Sequence, residues 1–264
     1  MIKYIIKFIY LIFILTSCSL HKDVTLYINV NTGSSVANQR HVYIRVFDSN
    51  YNLVGRNANT SNGYAIISSG AQSVNVLIVE PDSNYGPSSN IQSFKEGDYV
   101  VHVAINDDGD LSGSKARFEL GEKVALKSFR ISSNFLGNSF TLDILPSDLK
   151  ASVIDTVNLS STDNLGSKDA YCFWLPSKVF PLSGYFAPYQ YLSTTFGSFS
   201  GTTGSVGSLY STWFGLVPGN QYSLYCFVDY DGNGFITYNV DYEGGTTVSV
   251  GSGPHSLTLK KVVH

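Results

Sequence analysis

Three oxygen-bearing side chains near the C-terminus have a spacing that suits metal chemistry. Asp229, Asp231 and Asn233 occupy alternate positions, and a glycine follows them. A calcium loop of the EF-hand type places ligand oxygens at its first, third and fifth positions and a glycine at its sixth, where the chain turns sharply. The twelfth position of such a loop needs a bidentate carboxylate, but it is Val240 here, and Asp241 comes one residue later.

A calcium site and a plain turn are both compatible with this segment. A weaker copy of the pattern consists of Asn106, Asp108 and Asp110, with Leu111 in place of the glycine. Strands are predicted on both sides of each copy, so the two segments are not an EF-hand pair. Asp, Asn and Gly also favour β-hairpin turns, because they tolerate positive φ angles and bond to the local backbone. Two interpretations stay open: a hairpin turn, or weak binding of calcium as a cofactor.

Cys172 and Cys226 are the two cysteines that remain once Cys18 is set apart as a candidate anchor. Both fall on the inward face of a predicted strand. In an oxidising compartment such a pair predicts a disulfide that joins two sheets, as in immunoglobulin sandwiches. The alternative is two free thiols that pack as small hydrophobic groups.

Groups suited to catalysis are sparse, and we predict no catalytic residues and no enzymatic activity. The histidines are His21, His41, His102, His255 and His264. They are scattered along the chain, not clustered as metal ligands are, and we expect His102 to face outward on its strand. The nucleophile motif Gly-x-Ser-x-Gly does not occur, and there is no phosphate-binding glycine loop.

Aromatic residues are concentrated in residues 184–215, where they alternate with Gly, Ser and Thr. Rigid rings with small polar neighbours are typical of adaptable recognition loops. The candidate ligand contacts are Tyr185, Tyr189, Tyr191, Phe196 and Phe199. The alternative is that these rings only pack in the core.

Residues 1–17 have the pattern of a signal peptide. Lys3 and Lys7 precede an unbroken apolar run from Phe8 to Leu15, which is long enough for a signal-peptide core and too short to span a bilayer. The run ends in Leu-Thr-Ser before Cys18, which resembles a lipobox. This resemblance implies that Cys18 carries fatty-acyl chains such as palmitate and tethers the chain to a membrane.

Charge and composition limit the partners and the fold. Loss of Lys3 and Lys7 with the signal peptide takes the net charge from −3 to −5. A mildly acidic chain lacks the excess of basic residues that indicates nucleic-acid binding. Charged residues make up 14% of the chain and aromatic residues another 14%. Few charges with many aromatic and β-branched residues favour strands over helices or disorder.

Alternating patterns repeat along the chain and predict an internal duplication of about 120 residues. The two clearest strands are matched, and their inward residues are Tyr99, Val101, Val103 and Ile105 in the first copy and Tyr222, Leu224, Cys226 and Val228 in the second. Cys172 and Cys226 correspond to Ile44 and Val103 of the first copy. The predicted organisation is an anchor and short linker (18–23), a first domain (24–146) and a second domain (147–264), with Pro146 at the boundary.

The segment from Leu216 to Leu224 carries a family resemblance. Pro218-Gly219 followed by Tyr222 resembles the apolar-Pro turn and Gly-x-Tyr strand of transthyretin-like and carboxypeptidase-regulatory β-sandwich modules, with one extra residue between Gly and Tyr. The resemblance covers one turn and one strand per copy. It implies an all-β chain of two tandem Greek-key, immunoglobulin/transthyretin-like sandwiches. It also implies that these modules serve as spacers, binding domains or pilus subunits and have no enzymatic activity.

These features together predict a non-catalytic lipoprotein of the cell envelope that binds an unknown protein or glycan. Ser19 after Cys18 favours the outer membrane as its location. The alternatives are a fimbrial subunit that pairs strands with its neighbours and, from another class, an envelope carbohydrate hydrolase. A hydrolase needs paired carboxylates in an aromatic cleft, and residues 184–215 contain no acidic side chain.

Overall fold

The computed structural model describes residues 23–50, 52–57, 64–80, 91–106, 120–132, 137–175, 193–212, 215–233 and 237–263, without the side chains of 193 and 208–212. Residues 1–17 and Cys18 lie outside these ranges, so the structure does not test the signal peptide or the lipid anchor. Strands and turns form all the regular structure within the described ranges. A search of these ranges finds no helix of the length and hydropathy needed to cross a membrane.

The strands divide into a first unit of ten and a second unit of seven. Those of the first unit are β1 (Val24–Asn31), β2 (Arg40–Asp48), β3 (Leu53–Asn57), β4 (Ala65–Ile67), β5 (Ser73–Val79), β6 (Ser93–Phe94), β7 (Gly97–Asn106), β8 (Lys123–Ile131), β9 (Ser139–Ile144) and β10 (Lys150–Ala151). Those of the second unit are β11 (Val157–Ser161), β12 (Asp169–Leu175), β13 (Ser193–Ser200), β14 (Thr203–Thr212), β15 (Gln221–Val228), β16 (Tyr242–Ser249) and β17 (His255–Lys261). The predicted all-β fold with β-sandwich domains is confirmed.

The two units share one strand order. The strand order of the first unit is β9-β1-β5-β3-β2-β7-β8. Three short strands pair with members of this path: β4 with β2, β6 with β1 and β10 with β8. The second unit runs β17-β11-β14-β13-β12-β15-β16, and β16 pairs with β17 to close a barrel. β1 pairs in parallel with β9, and β11 pairs in parallel with β17. The other pairs on the two paths are antiparallel.

Alternation places the predicted residues in the core of the first unit. Val101, Val103 and Ile105 of β7 are fully buried in one apolar cluster with residues of β1 and β2. Because side chains on a strand point alternately to the two faces of the sheet, the even-numbered residues of β7 point away from that core. The sheet formed by β2, β7 and β8 would therefore be expected to face water on one side.

The second unit covers this other side of the sheet. We use the term docking face for Tyr43, Phe47, His102, Ala104 and Val124, which lie on β2, β7 and β8 and point away from the first core. The four apolar members belong to the same buried cluster as the interior of the barrel. One strand bridge, Val153 to Leu216, also joins the end of the first unit to the barrel. The sheet formed by β2, β7 and β8 is therefore buried on both faces.

The expectation that His102 faces solvent is wrong. The side chain does point away from the core of its own unit, but it is 0% exposed because the barrel covers it. Its Nε2 lies 3.1 Å from the carbonyl oxygen of Gly215. A carbonyl only accepts, so the imidazole donates this hydrogen bond. The alternation gave the correct face, and the docking of the second unit changed its environment.

The first unit extends past the boundary predicted at Pro146. Lys150 and Ala151 pair with Val124 and Lys123 and so add β10 to the edge of β8. The turn before β10 is held by Asp148, whose Oδ2 accepts a bond from Lys127 Nζ at 2.7 Å. The first strand of the barrel begins only at Val157.

The disulfide between Cys172 and Cys226 is present, but it does not join two sheets. The two residues lie directly opposite each other on β12 and β15, which are neighbours in one sheet, and their Cα atoms are 4.1 Å apart. Their counterparts Ile44 and Val103 are also direct neighbours, on β2 and β7. The predicted disulfide between Cys172 and Cys226 is confirmed, and the inter-sheet arrangement predicted by analogy with immunoglobulin sandwiches is wrong.

Acid should destabilise the protein through His102. Burial, together with the charge of Arg45, lowers the pKa of His102 from 6.5 to about 3 against the opposite effect of its bond to Gly215. Between these two pH values the unfolded chain binds a proton that the folded chain does not. The free energy of unfolding therefore decreases as the pH is lowered, by up to about 1.4 kcal/mol per pH unit. Burial also lowers the pKa of His41, which adds to the loss.

Urea unfolding at pH 7 and pH 5 measures this effect. His102→Gln keeps a hydrogen-bond donor and cannot titrate, so its stability should change less between the two pH values than that of the wild type. An equal pH dependence in both proteins would contradict the assignment of the effect to His102.

The disulfide should stabilise the second unit by restricting the unfolded chain. Cys172→Ile with Cys226→Val copies the apolar pair of the first unit, and it should lower the free energy of unfolding by up to about 4 kcal/mol for a sequence separation of 54. Chemical denaturation with and without dithiothreitol checks this. Reduction should destabilise the wild type and leave the double variant unchanged. A variant as stable as the oxidised wild type would contradict the expectation.

Candidate functional site

The predicted calcium loop connects β15 to β16. Asp229 and Asp231 follow the last residue of β15, and Asp241 directly precedes β16. One oxygen from each of these three carboxylates lies within 4.8 Å of the others. We refer to Asp229, Asp231 and Asp241 as the carboxylate cluster. Residues 234–236, between its members, lie outside the described ranges.

Asp241 belongs to the cluster although it does not fit the EF-hand template, in which the twelfth position is Val240 and Asp241 comes one residue later. A turn formed by residues 237–240 returns the chain to the cluster, and Asn239 within it has a φ of 62°, which is a left-handed conformation that Asn tolerates. The Asp241 side chain is 0% exposed. Its Oδ1 accepts a bond from Tyr230 N at 2.8 Å, and its Oδ2 accepts one from Thr237 N.

The other predicted ligands form the local bonds of a tight turn. Asp229 Oδ1 accepts bonds from Gly232 N at 2.7 Å and Asn233 N at 3.2 Å. Asn233 Nδ2 donates to Asp231 Oδ2 at 2.9 Å and to Thr237 Oγ1 at 2.7 Å. These bonds orient the carboxylates, as the local bonds of a turn do. The segment also offers one hard cation three carboxylate ligands, the type that calcium prefers.

The weaker copy in the first unit is described only at its first residue. Asn106 is the last residue of β7, where it lies opposite His41 and is 1% exposed. Asp108 and Asp110 lie outside the described ranges. The prediction of a second, weaker calcium loop therefore stays a prediction.

The aromatic residues proposed as ligand contacts separate into three groups. Tyr185, Tyr189 and Tyr191 lie outside the described ranges. Phe199 is 2% exposed and belongs to the core of the barrel, so its assignment as a ligand contact is wrong. Alternation along β13 explains this, since Thr195 and Phe199 point inward and Phe196 points outward. Phe196 is half-buried and remains a candidate.

Phe196 belongs to a row of aromatic side chains on the outside of the barrel. Tyr171 pairs with Phe196 on one side and with Phe227 on the other, and the Tyr171 and Phe196 ring centroids are 5.5 Å apart. Phe173 and Tyr225 form a second pair beside this row, with centroids 6.5 Å apart. We call these five residues the aromatic face. Sequence reasoning missed it because it searched the loop and treated strand residues as core.

Tyr225 is the polar anchor of the aromatic face. Its hydroxyl donates a hydrogen bond to the Glu243 carboxylate on the neighbouring strand β16. Burial first, and then the bond to Glu243, raise the pKa of Tyr225. The hydroxyl therefore stays protonated and continues to donate to Glu243 throughout the physiological pH range.

A histidine and a carboxylate that are far apart in the sequence meet at one end of the barrel. His255 Nε2 lies 2.9 Å from Asp155 Oδ2, and the same oxygen accepts a bond from Gly251 N at 2.7 Å. Among the described residues, no Ser, Thr or Cys side chain is hydrogen-bonded to His255. The pair therefore ties the turn before β17 to the chain entering β11, and it lacks the nucleophile of a catalytic triad.

Comparison with known proteins gives distant structural likenesses only. No family model matches the chain, and no curated protein sequence matches it. The chain is similar to a candidate cell-adhesion protein from Bacteroides fragilis, with 12% identity, a TM-score of 0.24, and coverage of 90% of this chain and 97% of the other.

Two further solved structures resemble the chain to a similar degree. The fimbrial anchor protein Mfa2 from Porphyromonas gingivalis has 12% identity and a TM-score of 0.25, with 86% of this chain and 82% of the other covered. A candidate adhesin from Bacteroides ovatus has 10% identity and a TM-score of 0.22, with coverage of 81% and 74%. At these identities and TM-scores, the likenesses assign no function to this chain.

Calcium should raise the melting temperature through the carboxylate cluster. Three carboxylates this close repel one another, and a divalent cation removes that repulsion. A ligand at about ten times its dissociation constant stabilises a protein by roughly 1.4 kcal/mol. Melting curves with and without millimolar calcium measure the shift.

Charge-matched variants show where calcium acts. Asp231→Asn removes one exposed charge from the cluster and should abolish the shift. Asp169→Asn removes one exposed charge at the start of β12, outside the cluster, and should leave the shift intact. Absence of a shift in the wild type, or an undiminished one in Asp231→Asn, would show that the segment is only a turn.

Proposed function

We propose that the chain is a non-catalytic, lipid-anchored protein of the cell envelope that binds a protein or glycan through its second unit. Cys18 is the proposed point of anchoring and the aromatic face is the proposed site of contact. The outer membrane is the proposed location, with the barrel exposed to the cell's surroundings.

The aromatic face is the observation that carries the proposal. Most of its rings are half-buried, and they stand on three adjacent strands, β13, β12 and β15. Aromatic side chains on a surface are enriched in binding sites, where they supply large contact areas. Tyr and Phe have only two side-chain torsions each, so little conformational entropy is lost when a ligand orders them.

Attachment of the barrel to the first unit supports a role in display. The docking face joins the two units in one continuous apolar cluster, and the bond from His102 to Gly215 lies within it. A binding unit held in this way keeps a defined orientation relative to the unit that carries the anchor. A flexible linker would leave that orientation free.

Protease shaving of intact cells tests the proposal. An antibody against the barrel should lose its signal after treatment, while a periplasmic control protein survives. Cys18→Ala should release the protein from the membrane fraction, because the acylated thiol is lost. Full protection of the barrel would contradict surface binding and would direct the search to periplasmic partners.

A fimbrial subunit is the second candidate, and the edge of β8 is the observation that favours it. Beyond Val124, β8 pairs with β7 but, among the described strands, with no strand on its other side. Such an edge can accept a strand from another chain. The same membrane fractions, run unboiled on a gel, should show a monomer under the main proposal, whereas a ladder of polymers would favour the subunit.

A further inference from the structure

We infer that one end of the first unit rests on the lipid bilayer to which Cys18 anchors the chain. This inference rests on the proposed function, because it requires the acylated cysteine. It concerns the end of the unit at which β1 begins, which we call the entry end. Its apolar side chains are Ile91, Phe94, Tyr99, Phe129 and Phe140.

The aromatic side chains of the entry end form one continuous stack. Phe94 and Tyr99 meet edge to face with centroids 5.4 Å apart. Tyr99 stacks on Phe129 at 5.5 Å, and Phe129 stacks on Phe140 at 5.8 Å. Phe94 is buried, and the other three rings are half-buried at the margin of the first core. The stack therefore covers the first core at this end, and its outer rings are partly exposed.

Strand pairing places the stack next to the start of β1. Val24 is paired with Phe94, and Leu26 with Phe140. Ile91 is close in the chain to this pairing and is 56% exposed, which makes it one of the most exposed large hydrophobic residues in the described ranges. The entry end therefore combines an exposed aliphatic side chain with a row of aromatic rings.

The short connection to Cys18 determines what lies next to this end. Six peptide units separate Cys18 from Val24, and even a fully extended chain covers at most about 22 Å over that distance. The acyl chains on Cys18 insert in the bilayer, so the start of β1 stays within this distance of the lipid headgroups. The opposite end of β1 lies a further ~23 Å away along the strand.

The chemistry of the entry end fits a membrane surface. Aromatic rings favour the boundary between water and lipid, since they are apolar but carry polar or polarisable edges. The charged side chains nearby are largely balanced, because Arg130 lies 3.4 Å from Asp98 and 4.0 Å from Glu96. One guanidinium and two carboxylates leave this cluster a net charge of only −1, so the aromatic rings and not the charges would provide the contact with lipid.

The docking of the barrel is consistent with this orientation. His102 and Ala104 lie in the second half of β7, whereas Tyr99 lies near its start. The barrel covers the face of the sheet that points away from the first core, from Ala104 to Phe47, which is paired with Val100, whereas Tyr99 points to the first core.

Fluorescence quenching by labelled lipids tests the inference on the full acylated chain. Ile91→Cys and the matched Leu120→Cys each introduce one free thiol, because Cys172 and Cys226 are disulfide-bonded and Cys18 is acylated. Leu120 is 53% exposed and precedes β8 at the opposite end of the unit. Each variant is labelled with bimane and reconstituted in vesicles of phosphatidylethanolamine and phosphatidylglycerol that contain nitroxide lipid.

The probe at position 91 should be quenched several-fold more than the probe at position 120. Equal quenching, or stronger quenching at position 120, would overturn the inference. Shielding of position 91 from aqueous iodide without quenching by nitroxide lipid would mean that a second copy of the chain covers this end, which also overturns it.

Mass spectrometry of the purified chain separates this result from a failure of the proposed function. A chain without acyl groups on Cys18 would overturn both the anchoring and the bilayer contact. An acylated chain with equal quenching at the two positions would overturn the bilayer contact alone.

Discussion

The burial of both faces of the sheet formed by β2, β7 and β8 is the constraint on which the rest of the structure depends. Successive residues of β7 alternate between two cores, since Val103 packs in the first unit and Ala104 packs against the barrel. A two-faced strand of this kind tolerates neither charge nor a shift in register, because a slip of one residue would exchange the two sets of side chains. His102 is compatible with this position only as a neutral group that donates to Gly215.

Alternation predicted the inward residues of the strands well, because a period-two pattern reports directly on which face of a sheet is buried. The inward residues of β7 and β15 follow from this alternation, and the inward positions of Cys172 and Cys226 made them candidates for a disulfide. The additions to each copy could not be predicted in this way. β10 consists of Lys150 and Ala151, both exposed, and a strand of two exposed residues has no hydrophobic pattern to recognise.

The errors have different physical causes, and the first is that the sequence pattern gives the face of a strand but not what covers that face. His102 was assigned correctly to the outer face of its sheet and is nonetheless buried. Phe199 was assigned to a loop surface, although its position on β13 directs it into the barrel. Asp241 was discounted because ligand positions were counted along an EF-hand template. A turn that contains Asn239 with a positive φ brings the Asp241 carboxylate to the cluster, in a loop that is flanked by strands and differs from an EF-hand.

The placement of aromatic residues on strands has a consequence for binding. Phe196, Tyr171 and Phe227 are fixed in a row by the cross-strand pairing of β13, β12 and β15, and the disulfide ties two of these three strands together next to Tyr171. A ligand that contacts such a row orders few additional torsions, whereas a ligand that contacts a long loop must order its backbone as well. Gly197 allows β13 to remain in this sheet, because a Cβ at that position would lie 1.9 Å from the Ser205 carbonyl oxygen. The glycine-rich composition near Phe196 thus reflects close strand packing at Gly197.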